Sequence, residues 1–260
     1  MKYTAMNKWM ICCFFVSAVF TATAQSVSIN NDGSLPDASA MLDVKSGIKG
    51  FLPPRMTYSE RNAIATPALG LMIYCSNCGA GEVQVFTGLI WTNMIGGQAT
   101  LPLAIGGSYG GGKVAYILQP GDPGYIAGQV HGLVAASNDQ GANNPWYNGS
   151  FILTGATATA LGTGNANTTV IVAAQGAGSY AAQLCSDYTV NGYTDWYLPG
   201  KDELNKLYIN RVAIGAFLST TYWSSSELNL NFAASQNFTD GSQAFSNKIS
   251  GYAVRPVRSF

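Results

Sequence analysis

Glycine limits this chain more than any other residue. It occurs 30 times in 260 positions, and charged residues make up only 10%. Asn, Ser, Thr and Tyr carry most of the polarity. That is the composition of extracellular, β-rich, loop-rich proteins rather than of cytosolic enzymes. Apolar runs between the glycines are short, so short strands joined by turns are the expected elements.

The longest apolar run is at the N-terminus. Lys2 and Lys8 precede Trp9–Phe20, which only Ser17 interrupts, and Ala22-Thr23-Ala24 follows. A charged start, about 12 apolar residues and a small-residue site predict a cleaved secretory signal peptide over 1–24; a membrane span needs roughly 20. Cys12 and Cys13 lack the small residue that a lipid-attachment site places before its cysteine. Without residues 1–24 the chain keeps 11 basic and 13 acidic residues, a net charge of −2. Such a balance has no bulk attraction for nucleic acid or an anionic membrane. No span is expected in the mature chain.

Residues 25–96 break into short pieces. Asn30-Asn31-Asp32-Gly33 is a turn signal, Ser59–Ile64 predicts a helical turn, and Glu82–Phe86 alternates with a strand's period of two. Gly88 and Trp91 follow as in a hairpin. Cys75-Ser-Asn-Cys78 lies between an apolar strand and Gly79-Ala80-Gly81. A redox pair would need its first cysteine at a helix N-terminus, and zinc would need two more ligands where only Cys185 and His131 remain. A small disulfide stapling a hairpin loop is the favoured reading, with redox or metal roles left open.

Gly96-Gly97 and Gly106–Gly112 predict a flexible linker over 97–112. Beyond it, Lys113–Leu118 and His131–Ala136 read as strands, and 137–176 as long loops. A helix is expected from Ser179, with Tyr180, Ala181, Leu184, Cys185 and Tyr188 at helical spacing. Another is expected near Gly200, burying Leu204, Leu207 and Tyr208, with Glu203 three residues past the cap. Strands follow at Tyr222–Ser224, Phe232–Phe238 and Tyr252–Val257, with a turn at Asp240-Gly241.

Two resemblances organise these pieces. Gly50-Phe-Leu-Pro-Pro-Arg-Met-Thr57, Arg61 and Gly70-Leu-Met-Ile-Tyr74 resemble a β-rich N-terminal module of secreted and fibre-like bacterial proteins, over about 33–95. This implies a stalk or assembly unit, with a homo-oligomer as one form. Asp195-Trp196-Tyr197-Leu198-Pro199, Asp202-Glu203-Leu204, Tyr222-Trp223-Ser-Ser-Ser-Glu227, Asp240-Gly241 and Val254-Arg-Pro-Val-Arg258 stand in the order of the Lcl-type C-terminal domain family. That family occurs in collagen-like bacterial adhesins and related secreted proteins. The resemblance covers about 107–260 and implies an α+β fold: a C-type-lectin-like domain over 113–260, with two helices packed on antiparallel strands.

Two departures bear on function. Relatives pair a cysteine near Cys185 with one in the last strand, where this chain has Pro256. The adhesin member binds sulfated polysaccharides, which needs a basic surface absent here, so that specificity does not carry over. The sugar-and-calcium triplets of true C-type lectins are missing, and Cys185 alone cannot form the cysteine pair of formylglycine-generating relatives.

Trp196, Leu198, Leu204, Trp223 and Tyr252 are expected in the core, since large aromatics fill helix–sheet gaps. Glu227 and Arg255 are candidates for an ion pair. For ligand contact the candidates are Asn144, Trp146, Tyr147 and Asn148, with Glu227, Asn229 and Asn231. Sugar sites combine ring faces with planar amides, although Trp146 and Tyr147 would equally anchor a long loop. His131 has no Gly-x-Ser-x-Gly partner. No catalytic residue, cofactor or metal is expected. The expected function is a secreted, non-enzymatic, adhesin-like binding module for an extracellular glycan or protein; the alternative is a structural part of an envelope or fibre.

Overall fold

The computed structural model describes residues 26–127 and 129–260. The proposed signal peptide lies outside them. The chain divides into two compact units, one ending at Leu52 and one spanning Pro53–Phe260.

In the first unit, β1 (Val27–Ile29) and β2 (Leu42–Val44) form a two-stranded parallel sheet. The connection turns through Asn30, which accepts from the Gly33 N–H at 2.9 Å, and is tied by a Lys45–Asp32 ion pair at 2.6 Å.

The second unit begins with β3 (Arg55–Met56), α1 (Tyr58–Asn62), β4 (Met72–Cys75), β5 (Glu82–Phe86) and β6 (Trp91–Asn93). Their order in the sheet is β3-β4-β5-β6. Thr57 caps α1 reciprocally with Glu60, so even a five-residue helix has its first amides satisfied. Cys75 and Cys78 form a disulfide across the β4–β5 turn and, with Ile73, make the small core.

Next come β7 (Ser108–Tyr109), β8 (Gly112–Ile117) and β9 (Gly132–Ala135), joined at the other edge by β13 (Val257–Ser259) in the order β13-β9-β8-β7. Between them lie α2 (Gly164–Gln175), α3 (Ala181–Ser186), α4 (Lys201–Ile209) and α5 (Arg211–Ile214). A three-stranded antiparallel sheet follows: β10 (Thr221–Glu227), β11 (Phe232–Asn237) and β12 (Gln243–Asn247). The fold is thus mixed, sheet-dominated α+β. No helix among the described residues is long and apolar enough to cross a membrane.

Two expectations are corrected here. The segment 106–112 is not loose linker: Gly106 and Gly111 take positive φ of 82° and 84°, and a Cβ on Gly106 or Gly112 would strike the backbone of Ala213 or Ala135. These glycines permit close packing and a tight β7–β8 turn rather than flexibility. The expected loop 137–176 contains α2. Its sequence, GNANTTVIVAAQ, is weak in helix formers, and its buried side is largely polar. Asn167 donates to the Ala158 carbonyl at 2.7 Å, the Thr168 hydroxyl accepts from the Leu198 N–H at 3.0 Å, and Ile171 enters the core.

By contrast, α4 follows its sequence. The Gly200 N–H donates to Glu203 Oε2 at 2.7 Å, while Leu204 and Leu207 are buried. Trp196 and Trp223 are both buried as expected, in separate clusters. Trp196 packs with Val134, Ala136 and Tyr188, and Trp223 with Trp146, Leu198 and Tyr252.

Candidate functional site: the loop face beside β10

Strand β10 organises the loops at one end of the C-terminal domain. Trp146 Nε1 donates to the Ser224 carbonyl at 2.8 Å, and Trp223 Nε1 donates to the Asn144 carbonyl at 2.9 Å. Each indole therefore ties its own segment to the other's backbone. Asn144 also bridges Tyr252 through backbone bonds of 3.0 Å in both directions, and the Tyr252 ring lies 4.6 Å from that of Trp223. Trp146 is fully buried and offers no ring face to a ligand. The sugar-platform expectation fails for it, and loop anchoring is what it does.

Glu227 ends β10 and is buried as well. Its Oε1 lies 2.5 Å from Lys248 Nζ, with side-chain exposures of 1% and 0%. The second carboxylate oxygen accepts from the Thr154 and Gly155 N–H groups, both at 2.9 Å. Lys248 also donates to the Ile152 carbonyl at 3.2 Å, and its ammonium sits 4.5 Å from the Trp146 ring centre. A charge taken this far from water persists only when paired and hydrogen-bonded. Glu227 is therefore a loop fastener and not a ligand group, which corrects the binding expectation.

The expected Glu227–Arg255 pair is also replaced. Arg255 Nε bonds Asp139 Oδ1 at 2.6 Å, with its other nitrogens on the Ala136 and Ala216 carbonyls and its guanidinium over Phe217. Asp139 accepts from the Tyr222 hydroxyl at 2.7 Å, and burial pushes that phenol's pKa up. A further buried acid, Glu203, accepts from the Gly162 and Gly200 N–H groups. Burial raises its pKa, against the lowering effect of those backbone donors. Cys185 has no sulfur partner among the described residues, and burial holds its thiol well above its ordinary pKa.

The remaining candidates have modest roles. Tyr147 is half-buried and stacks on Phe151, with ring centres 5.0 Å apart. Asn148 turns its amide onto the Gln175 and Ala177 carbonyls at 3.1 and 2.9 Å. Asn229 shapes its turn by accepting from the Asn231 and Phe232 N–H groups, each at 3.0 Å. The Asn231 carbonyl accepts from the Lys248 N–H at 2.9 Å, and its side chain is exposed.

Loops 147–155, 228–231 and 248–251 therefore meet over the Glu227–Lys248 pair. What they leave to solvent is uncharged and largely apolar: Phe151, Leu153, Leu228, Leu230 and Ile249 are each more than 40% exposed, with Asn148, Ser150, Asn229 and Asn231 exposed among them. Sequence reasoning named the asparagines and missed the apolar positions. Isolated leucines in a turn carry no periodic signal.

His131 is half-buried, with Nε2 2.9 Å from Gln129 Oε1 and Nδ1 3.3 Å from the Phe260 carbonyl oxygen. It lines an apolar cavity of about 240 Å³ with Leu118, Leu133, Leu161 and Phe260. Among the described residues neither ring nitrogen hydrogen-bonds a nucleophile or an acid. No group of three metal-ligating side chains occurs among the described residues.

Residues 124–258 match a family described as the Lcl C-terminal domain, and residues 28–105 match a phage tail like trimerisation region. No curated protein matches the chain.

Proposed function

We propose, from the premise that this chain belongs to the Lcl C-terminal domain family, that it is an exported, non-enzymatic, adhesin-like protein. In this reading a C-type-lectin-like head contacts an extracellular glycan or protein through the loop face beside β10. The N-terminal region acts as a homo-oligomeric stalk, in keeping with its trimerisation match.

One observation carries this reading. The acids and bases of the head's loop end are buried and paired with one another, as in Glu227–Lys248 and Arg255–Asp139. A site that transfers protons or attacks a bond needs such groups within reach of a substrate. The solvent-facing loop surface instead offers apolar side chains with amides among them, a chemistry of contact.

A glycan array probed with the full chain tests this, alongside the variant Leu228→Ser/Leu230→Ser. Retention on a defined set of glycans, weakened at least tenfold in the variant, is the expected result. Retention that the variant leaves unchanged moves the site elsewhere. If no glycan or purified surface protein is retained, the alternative of a purely structural fibre or envelope component is favoured. The abundance of exposed apolar residues in the N-terminal region also fits that alternative.

A further inference from the structure

The β1–β2 sheet is built inside out. Its register pairs Val27 with Leu42 and Ile29 with Val44, so all four side chains share one face. That face is open: the four are 52%, 52%, 57% and 41% exposed in the same order. The other face carries Ser28 and Asp43, and the chain's own connection covers it. Asn30 Nδ2 reaches Ser28 Oγ at 2.5 Å, and the Asp37 N–H reaches Asp43 Oδ2 at 3.0 Å. The polar face is thus sheltered and the apolar face bare, the reverse of what a half-buried sheet adopts. Parallel strands ordinarily occur with both faces covered, and two strands alone do not make a stable sheet in water.

We infer that this face is a self-association seam, occupied by the same four side chains of further copies of the chain gathered around a common axis. Three observations favour this occupant. The face carries no charge, so nothing opposes contact of like with like. The Lys45–Asp32 ion pair, the one in this unit among the described residues, is formed within the chain and needs no partner. The trimerisation match begins at Ser28 and runs through both strands. The inference rests on the oligomeric reading of the N-terminal region and gives it specific residues. Closed cyclic assembly then buries every copy of the face.

Sedimentation of the full chain, beside Ile29→Asp/Val44→Asp and Ile29→Cys, tests the seam. The wild type is expected at three times the monomer mass and the double aspartate variant at one. Oxidised Ile29→Cys is expected to give a covalent dimer band on a non-reducing gel. Near-ultraviolet circular dichroism of the head should be the same in all three. A wild type that sediments as a monomer overturns the oligomeric reading and the seam together. A trimeric wild type whose aspartate variant stays trimeric and whose cysteine variant does not cross-link overturns the seam alone.

Discussion

Residues 26–105 and 106–260 treat apolar side chains in opposite ways. Among the described residues, the first region buries three hydrophobic residues, Ile73, Cys75 and Cys78, and exposes 16 large ones. The second buries 28 and exposes 13. The second region therefore holds a core able to offset its own chain entropy, and the first does not. A region that leaves its apolar surface in water and staples its small core with a disulfide is the one to which the proposed assembly would add most. The contrast separates a region with an extensive core of its own from one whose apolar side chains stay largely open.

The contrast breaks most easily at the buried ion pair. Lys248→Met leaves the Glu227 carboxylate buried and unpaired, and is expected to destabilise the head by about 3–5 kcal/mol. Chemical denaturation followed by tryptophan fluorescence measures this. The double variant Glu227→Leu/Lys248→Met is expected to recover much of the loss. Trp146→Ala removes an anchor that is both packed and hydrogen-bonded to Ser224, at about 3–5 kcal/mol. If either change left the head as stable as the wild type, the claim that buried fasteners hold the loops would not survive.

A smaller effect is expected in the N-terminal region. Cys75→Ser opens a very short disulfide loop, worth about 2 kcal/mol on chain entropy. The loss should appear as faster proteolysis around 72–93, with the head's melting unchanged. Equal destabilisation of both regions would erase the distinction between them.

Glu203 gives a pH signature. Its pKa is raised in the folded head by burial, so its contribution to stability is complete below the ordinary carboxylate pKa. That contribution is lost as pH rises through the folded value. The difference in stability between wild type and Glu203→Gln, measured from pH 3 to 8, should therefore move against the wild type as pH increases. A difference that is flat across that range rejects the assignment. The smallest change is expected on the loop face, where Leu230→Ser should shift stability by no more than about 0.5 kcal/mol.

Much of the fold was legible where the signal is local. The Gly200–Glu203 start of α4, the alternating β5, the Asp240-Gly241 turn and the Cys75–Cys78 staple each involve residues a few positions apart. Helix α2 was not legible: its threonines, asparagines and valines favour other conformations, and it is helical because Asn167 reaches Ser225, Thr168 reaches Leu198 and Ile171 enters a core built from distant segments. The candidate site was half legible. Trp146 and Glu227 stood out by residue type, but type alone could not say whether they faced ligand or core. Lys248, 21 residues beyond its partner, gave no signal at all.

By itself, the amino-acid sequence determined the short strands and capped helices, the disulfide and the family order of motifs, since these depend on neighbours along the chain. Only the tertiary structure decided which charges meet and which apolar faces stay open. Ion pairing and burial join residues that sequence distance does not relate, and their free energy depends on the water that the surrounding packing removes.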